Sequence, residues 1–151
     1  MNAARLSIQL WLPIILLSLS VIEILLIPLM GGKHRRLRRM TVRGVILLTT
    51  LMMISIYGEV LKGPMEYRIA SLFGNGIVFR IDLLSLILMI FAGLMFFVVS
   101  LYTAVDIKGC GRERSFYLFF MVTYLSTIGT LMAGDLLSFF MFFEIMTFST
   151  F

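Results

Sequence analysis

Five long apolar stretches, separated by short polar segments, dominate the hydrophobic pattern of the chain. They cover residues 6–30, 45–61, 83–105, 116–133 and 136–151. A helix that crosses a bilayer needs about 20 apolar residues, with a range of about 17 to 25. The first and third stretches meet this requirement comfortably, and the second and fourth are short but sufficient. We therefore predict an all-α integral membrane protein with five transmembrane helices.

The polar segment between the second and third stretches has a different pattern. The sequence EYRIASLFGNGIVFRID contains two short runs rich in Ile, Val, Phe and Tyr on either side of Gly74-Asn75-Gly76. Asn-Gly tolerates positive φ and is a strong hairpin signal. We predict a β-hairpin over residues 67–81, on the outer surface between helices 2 and 3; an irregular loop is the alternative.

The last apolar stretch reaches Phe151 without a flanking charge, a cap or an interfacial anchor. It is also shorter than a full span. We therefore expect it to belong to a longer helix, continued either in the same chain or in a separate subunit.

Composition supports the membrane interpretation and narrows the chemistry. Of the 151 residues, 60% are hydrophobic and 14% are charged, whereas about a quarter are charged in soluble domains. The single cysteine, Cys110, excludes an internal disulfide framework and a zinc or iron–sulfur site built by this chain alone. No P-loop, GxGxxG or metal-spaced ligand set occurs, so we predict no cofactor and no metal.

The net charge of +5 comes mainly from two short segments, residues 31–43 and 106–114. Their basic residues are Lys33, Arg35, Arg36, Arg38, Arg39, Arg43, Lys108, Arg112 and Arg114. Basic residues in short loops between apolar stretches indicate topology and not a nucleic-acid surface. The positive-inside rule places both segments in the cytoplasm. We predict a multi-pass protein of the cell (inner) membrane, with the N-terminus and the hairpin outside.

Glu144 is the main candidate for function. It lies among five phenylalanines in DLLSFFMFFEIMTF, residues 135–148, and about 13 Å inward from Asp135 at 1.5 Å per residue. A charge at the bilayer centre costs about 2.5–3.5 kcal/mol on insertion scales. Of its neighbours on the helix surface only Thr147 is polar, and none is basic. We predict either that desolvation leaves Glu144 neutral or that a cation from another helix or chain keeps it ionised. In both cases the proton affinity of Glu144 depends on the group beside it, as a proton relay requires. The alternative is a protonated glutamate in a static interhelical hydrogen bond.

Two further features lie inside the apolar stretches. A polar stripe on the fourth stretch can hydrogen-bond to the fifth or hold water beside Glu144; it consists of Thr123, Ser126, Thr127 and Thr130. Glu23 lies about 10 Å from the cytoplasmic end of the first stretch at 1.5 Å per residue. It can pair across helices, face a wet cavity or turn toward the cytoplasmic rim; we favour the rim, because Ser18 and Ser20 are its only polar neighbours.

The remaining acidic residues have structural explanations. Glu59 is predicted to form a local ion pair with Lys62 at the outer end of the second helix. Asp82 and Asp135 each precede a leucine pair at a helix start, so we predict that both are N-caps. His34 lies in a basic segment and is predicted to be solvated.

Two segments carry a resemblance to a known family. FRIDLLSLILMIFAGLMFFVVSLYT, residues 79–103, resembles the third helix of the antiporter-like membrane subunits found in respiratory complex I, Mrp-type sodium/proton antiporters and membrane-bound hydrogenases. GDLLSFFMFFEIMTFSTF, residues 134–151, is similar to their fifth helix, which carries the glutamate of the ion channel. The basic segment after the first helix and the outer hairpin also fit. The most similar branch is the Mrp D-like, or complex I M-like, subunit.

The resemblance implies the front part of a fold of about 14 helices, built around two inverted repeats. Residues 1–115 would supply three peripheral helices and the hairpin. Residues 116–151 would supply the first two helices of the first ion-translocating repeat. Glu144 would be the channel glutamate, paired with a lysine that lies outside this sequence.

The function implied is that of a membrane subunit, or its N-terminal part, in a multi-subunit redox-driven proton pump or sodium/proton antiporter complex. Its partners would be other membrane subunits, including neighbouring antiporter-like subunits, and the lipid bilayer. The chain itself would hold no redox centre. The alternative is a truncated, non-pumping scaffold that packs against true antiporter-like subunits. An isolated channel is disfavoured, because five helices with so few polar faces cannot enclose a path alone.

Overall fold

The computed structural model describes residues 3–29, 35–69, 77–106 and 112–150. Within these ranges the chain forms six helices and one two-stranded sheet. The elements are α1 (Ala3–Leu29), α2 (Arg35–Ser55), α3 (Tyr57–Val60), β1 (Met65–Ile69), β2 (Ile77–Ile81), α4 (Leu83–Asp106), α5 (Glu113–Met132) and α6 (Leu136–Thr150).

Each predicted apolar stretch forms a helix, as α1, α2, α4, α5 and α6. In the described ranges, three helical segments are long and apolar enough to cross a membrane: Arg36–Val60, Leu83–Thr103 and Glu113–Met132. The apolar parts of α1 and α6, Ile14–Pro28 and Leu136–Thr150, are shorter. The chain is therefore a mostly helical membrane protein, and the count of five spans stays a prediction.

The basic segments are more helical than the sequence suggested. Residues 31–43 were predicted to be a loop, but α2 begins at Arg35 and continues without a break into its apolar part. Arginine and leucine are good helix formers, and no glycine or proline interrupts residues 35–43. Similarly, α5 begins at Glu113. His34 and Cys110 lie outside the described residues.

The helices pack around α5, which contacts α1, α4 and α6, while α2 packs along α4. The buried face of α5 carries Tyr117, Met121, Tyr124 and Ile128, which recur every three or four residues. The Tyr124 hydroxyl lies 2.6 Å from the hydroxyl of Thr49 on α2. This hydrogen bond joins α5 to α2 in the middle of the bundle.

The hairpin is present, and its strands confirm the prediction. β1 and β2 pair antiparallel from Met65↔Ile81 to Ile69↔Ile77, so the first strand begins two residues earlier than predicted. The expected turn at Gly74-Asn75-Gly76 lies outside the described residues.

The hairpin also contacts the connection between α5 and α6. Phe79 of β2 forms an isolated bridge with Ala133, and the Gly134 N–H donates to the Val78 carbonyl over 2.7 Å. A Cβ at Gly134 would lie 3.0 Å from side-chain atoms of Val78 and Arg80. The absence of a side chain at Gly134 therefore allows the strand to approach the turn.

Candidate functional site

Glu144 lies on a face of α6 that the described part of the chain leaves uncovered. The opposite face of α6 packs on α5, where the Phe142 ring occupies the space that a Cβ at Gly129 would need. Glu144 is exposed in this chain, and in the described residues no basic group lies within 4 Å of its carboxylate. Any cation that pairs with Glu144 must therefore come from outside this set of residues.

An open groove of about 610 Å³ runs beside Glu144 between α5 and α6. Its lining is mostly apolar, and Glu144 is the one charged group among the described residues that line it, which are Phe119, Val122, Glu144, Ile145, Thr147, Phe148 and Ser149. A carboxylate in such surroundings exchanges a proton or a small cation more readily than it binds a polar organic ligand, because few other hydrogen-bonding groups are present.

The end of α6 nearest the hairpin is fixed by polar contacts. The Ser138 N–H donates to the Asp135 carboxylate over 3.3 Å, which confirms the predicted N-cap. The buried Ser138 hydroxyl accepts a hydrogen bond from the Val78 N–H over 3.3 Å. The side-chain hydrogen bond from Ser138 lowers the pKa of Asp135 below its usual 3.8, and backbone N–H groups add to this effect. Strand β2, the turn and the first turn of α6 are thus tied together.

The predicted polar stripe on α5 faces α6. The Thr123 and Ser149 hydroxyls lie 2.9 Å apart, and the Thr127 hydroxyl donates to the Met146 sulfur over 3.6 Å. The Ser126 and Thr130 hydroxyls donate to carbonyls of their own helix.

Neither the stripe nor Thr147 hydrogen-bonds to the Glu144 carboxylate within the described residues. Thr147 donates to the backbone carbonyl of Glu144 over 2.9 Å. The stripe therefore positions α6 against α5, and its predicted role in holding water beside Glu144 stays a prediction.

A second polar cluster lies at the end of the bundle where α1 ends and α2 and α5 begin, called here the basic end. Arg38 Nη2 lies 3.6 Å from Glu113 Oε2, and Arg39 Nε lies 3.7 Å from Glu113 Oε1. Arg38 and Glu113 are 2% and 6% exposed, and the Arg38 guanidinium lies 5.7 Å from the centre of the Tyr117 ring.

Arg38 and Arg39 were predicted to lie in a loop as topology signals, and no role was predicted for Glu113, which was wrong for the buried pair Arg38 and Glu113. A periodic signal was present: Arg38 begins the stripe that continues through Val42, Ile46 and Met53, all of which face the core. Residues at this spacing share one helix face, so the sequence pattern already indicates that Arg38 faces the core.

Glu23 also faces the interior and not the rim, so the favoured interpretation was wrong. It is 4% exposed and shares the buried face of α1 with Leu16, Ser20 and Ile27. In the described residues, Glu23 Oε1, Arg38 Nε and Tyr117 Oη are buried side-chain atoms without a hydrogen-bond partner. All three lie in the half of the bundle nearest the basic end. Buried groups of this kind are ordinarily satisfied by ordered water.

The other local predictions are confirmed. Lys62 Nζ lies 2.9 Å from Glu59 Oε1, and the Ser85 N–H donates to the Asp82 carboxylate over 2.8 Å. Asp82 thus caps α4 as predicted. No cluster of three or more potential metal ligands occurs among the described residues.

No protein-family model matches the sequence, and no curated relative matches it. Among solved structures, the chain is similar to a chain of the membrane-bound sulfane sulfur reductase, an archaeal respiratory membrane complex, with a TM-score of 0.76 and 20% identity. The match covers 90% of this chain and 21% of that chain. The chain therefore has the fold of about a fifth of a subunit from a respiratory membrane complex.

Proposed function

We propose that this chain is the front part of an ion-translocating subunit in a multi-subunit membrane complex, in which Glu144 binds and releases the transported proton. The observation that carries this proposal is the position of Glu144. It is the one charged group among the described residues that line an apolar groove, and it lies on the face of α6 that these residues leave uncovered. The likeness to a chain of a respiratory membrane complex supports the same conclusion.

The chemistry follows from the surroundings of the carboxylate. A carboxylate in an apolar site without water is stable in its ionised form only while a cation lies beside it. A basic side chain from a later helix or another subunit would favour release of the proton when it approaches and rebinding when it withdraws. Coupling that movement to a redox reaction or to sodium transport would drive pumping.

The remaining parts of the chain receive matching roles in this proposal. Residues 1–115 form the peripheral helices and the hairpin, and residues 116–151 begin the first translocating repeat of an antiporter-like subunit of the Mrp D-like type. All five long helices cross the cell membrane, with the basic end in the cytoplasm. Neighbouring antiporter-like subunits are the partners.

A non-pumping scaffold is the second candidate function. It is favoured by the many large apolar side chains that α4 exposes, among them Phe91, Val98 and Tyr102 at 58%, 58% and 74%. Such a surface suits packing against lipid or other membrane subunits. In this case Glu144 would be a protonated packing residue.

The test is Glu144→Gln in the assembled complex, reconstituted in liposomes, with ion translocation measured against the rate of the complex's own redox reaction. We expect assembly to be retained and translocation to be lost. The matched control is Glu66→Gln, which removes an exposed carboxylate on β1 and should leave translocation unchanged. Full translocation by the Glu144→Gln complex would exclude the pumping role and favour the scaffold.

A further inference from the structure

A basic cleft lies on a different face of α2 from the buried Arg38. It has a volume of about 290 Å³ and is lined by Arg36, Arg39, Met40 and Arg43. The spacing of three and four residues places these side chains along one side of the helix. Among the described residues, the lining contains three guanidinium groups and no carboxylate, so the cleft is suited to an anion.

Neighbouring helices hold two of the three guanidinium groups in place. Arg43 Nη2 donates to the Ser100 carbonyl of α4 over 3.3 Å, and Arg39 Nε lies 3.7 Å from the Glu113 carboxylate of α5. Arg36 and Arg43 have no carboxylate within 4 Å among the side chains that the structure describes, which do not include Asp106. The guanidinium groups of the cleft are thus held in position, and the described carboxylates do not balance all of their positive charge.

The same face of α2 continues directly into exposed apolar side chains. Met40, within the cleft, is 68% exposed, and Leu47, Leu51 and Ile54 beyond it are 42%, 54% and 47% exposed. At helical spacing these residues follow Arg36 and Arg43 along one stripe. A ligand that lies along this stripe meets guanidinium groups at one end and hydrocarbon along the rest, which is the order of groups in a phospholipid.

We propose that Arg36, Arg39 and Arg43 bind the phosphate of an anionic phospholipid headgroup at the basic end of the bundle, with an acyl chain along Leu47, Leu51 and Ile54. The planar guanidinium fork matches phosphate oxygens, and the cleft opens where α2 passes from its basic segment into its apolar one. This site is separate from Glu144, so lipid binding can be tested independently of ion translocation.

The test measures lipid retention by the full chain in its complex, using native mass spectrometry and titration with dioleoyl phosphatidylglycerol, and with dioleoyl phosphatidylcholine as the neutral lipid. We expect Arg36→Gln/Arg43→Gln to weaken phosphatidylglycerol binding. Each basic residue near an anionic surface contributes about 1 kcal/mol, so the pair corresponds to about 30-fold. Phosphatidylcholine binding should be unchanged.

The matched control is Arg112→Gln/Arg114→Gln, which removes the same charge from exposed positions at the basic end but outside the cleft. An equal loss of phosphatidylglycerol in this control would show a general charge effect and overturn the site. Inorganic phosphate at millimolar concentration is the second arm. If it displaces the lipid completely, the cleft is a site for a free anion and not for a lipid.

Two further variants keep the result interpretable if the double substitution impairs folding. Arg36→Gln alone removes an exposed side chain without disturbing the Arg43–Ser100 hydrogen bond and should give about fivefold weaker binding, from the same contribution per arginine. Arg36→Lys/Arg43→Lys keeps the charge but loses the planar fork, and should retain part of the affinity. Unchanged binding in Arg36→Gln would overturn the proposal.

Discussion

Arg38 and Glu113 form an ion pair 3.6 Å apart in which both side chains are almost completely buried. The pair joins α2 to α5 at the basic end, and the Tyr117 ring packs under the guanidinium. Burying two charges costs desolvation free energy, and their mutual attraction offsets this cost only while both members are present.

Removal of one member of this pair should therefore be more harmful than removal of both. We expect each single variant, Arg38→Met or Glu113→Leu, to lower the free energy of unfolding by about 3–5 kcal/mol, because the other member is left as a buried and poorly compensated charge. The double variant Arg38→Met/Glu113→Leu should recover most of that loss. Thermal unfolding in detergent, analysed as a double-mutant cycle, measures both values. Additive effects of the two substitutions would contradict a coupled pair.

The contact between α5 and α6 depends on a missing side chain. We expect Gly129→Ala to destabilise the protein by about 1–3 kcal/mol, since its Cβ would collide with the Phe142 ring and force the helices apart. Gly44→Ala is the control. No atom lies within 4 Å of a Cβ at Gly44. Because alanine has a higher helix propensity than glycine, the change should be neutral or stabilising by up to about 1 kcal/mol. Equal thermal stabilities of the two variants would contradict this packing.

The N-cap of α6 should give stability that depends on acid pH. The folded state lowers the pKa of Asp135 below 3.8. The contribution is therefore complete above pH 3.8 and is lost as the pH falls through the folded pKa. We expect Asp135→Ala to cost about 1 kcal/mol at neutral pH, and the difference from the native chain to shrink in melts below pH 3.8. The usual carboxyl pKa lies between about pH 2.5 and about pH 6. If the difference in free energy of unfolding between the native chain and Asp135→Ala stays constant over this range, the capping role is contradicted.

The hydrogen bond between Tyr124 and Thr49 can be removed with little change in shape. We expect Tyr124→Phe to cost about 0.5–1.5 kcal/mol, because the Thr49 hydroxyl keeps its bonds to the Val45 and Ile46 carbonyls. Tyr102→Phe is the control, since Tyr102 is 74% exposed. A loss in thermal stability that is the same for both would show that the buried hydrogen bond contributes nothing specific.

The sequence was sufficient for the elements that depend on local pattern. α4 was predicted over residues 83–105 and is found at Leu83–Asp106, because an uninterrupted apolar run bounded by a capping aspartate defines it. The caps at Asp82 and Asp135 and the two strands also depend on neighbouring residues. Each of these features is set within a few positions of the chain.

The features that were missed depend on contacts between distant segments. The burial of Arg38 needs Glu113, which is 75 residues later, and the direction of Glu23 depends on the helices that surround α1. Arg38 and Glu23 were predicted to lie at the surface because they are charged, since charged side chains are rarely buried unless they are paired. The environment of Glu144 is a different case, because its side chain is exposed and borders an open groove, so few contacts within the described residues define it.

The link between β2 and the turn before α6 also bears on the order of biosynthesis. β2 ends at Ile81, and the helices α4 and α5 lie between it and the start of α6 at Leu136. The ribosome therefore releases the strand first, so the carbonyl of Val78 is available as soon as Gly134 emerges. The start of α6 therefore meets a strand edge that was synthesised before it.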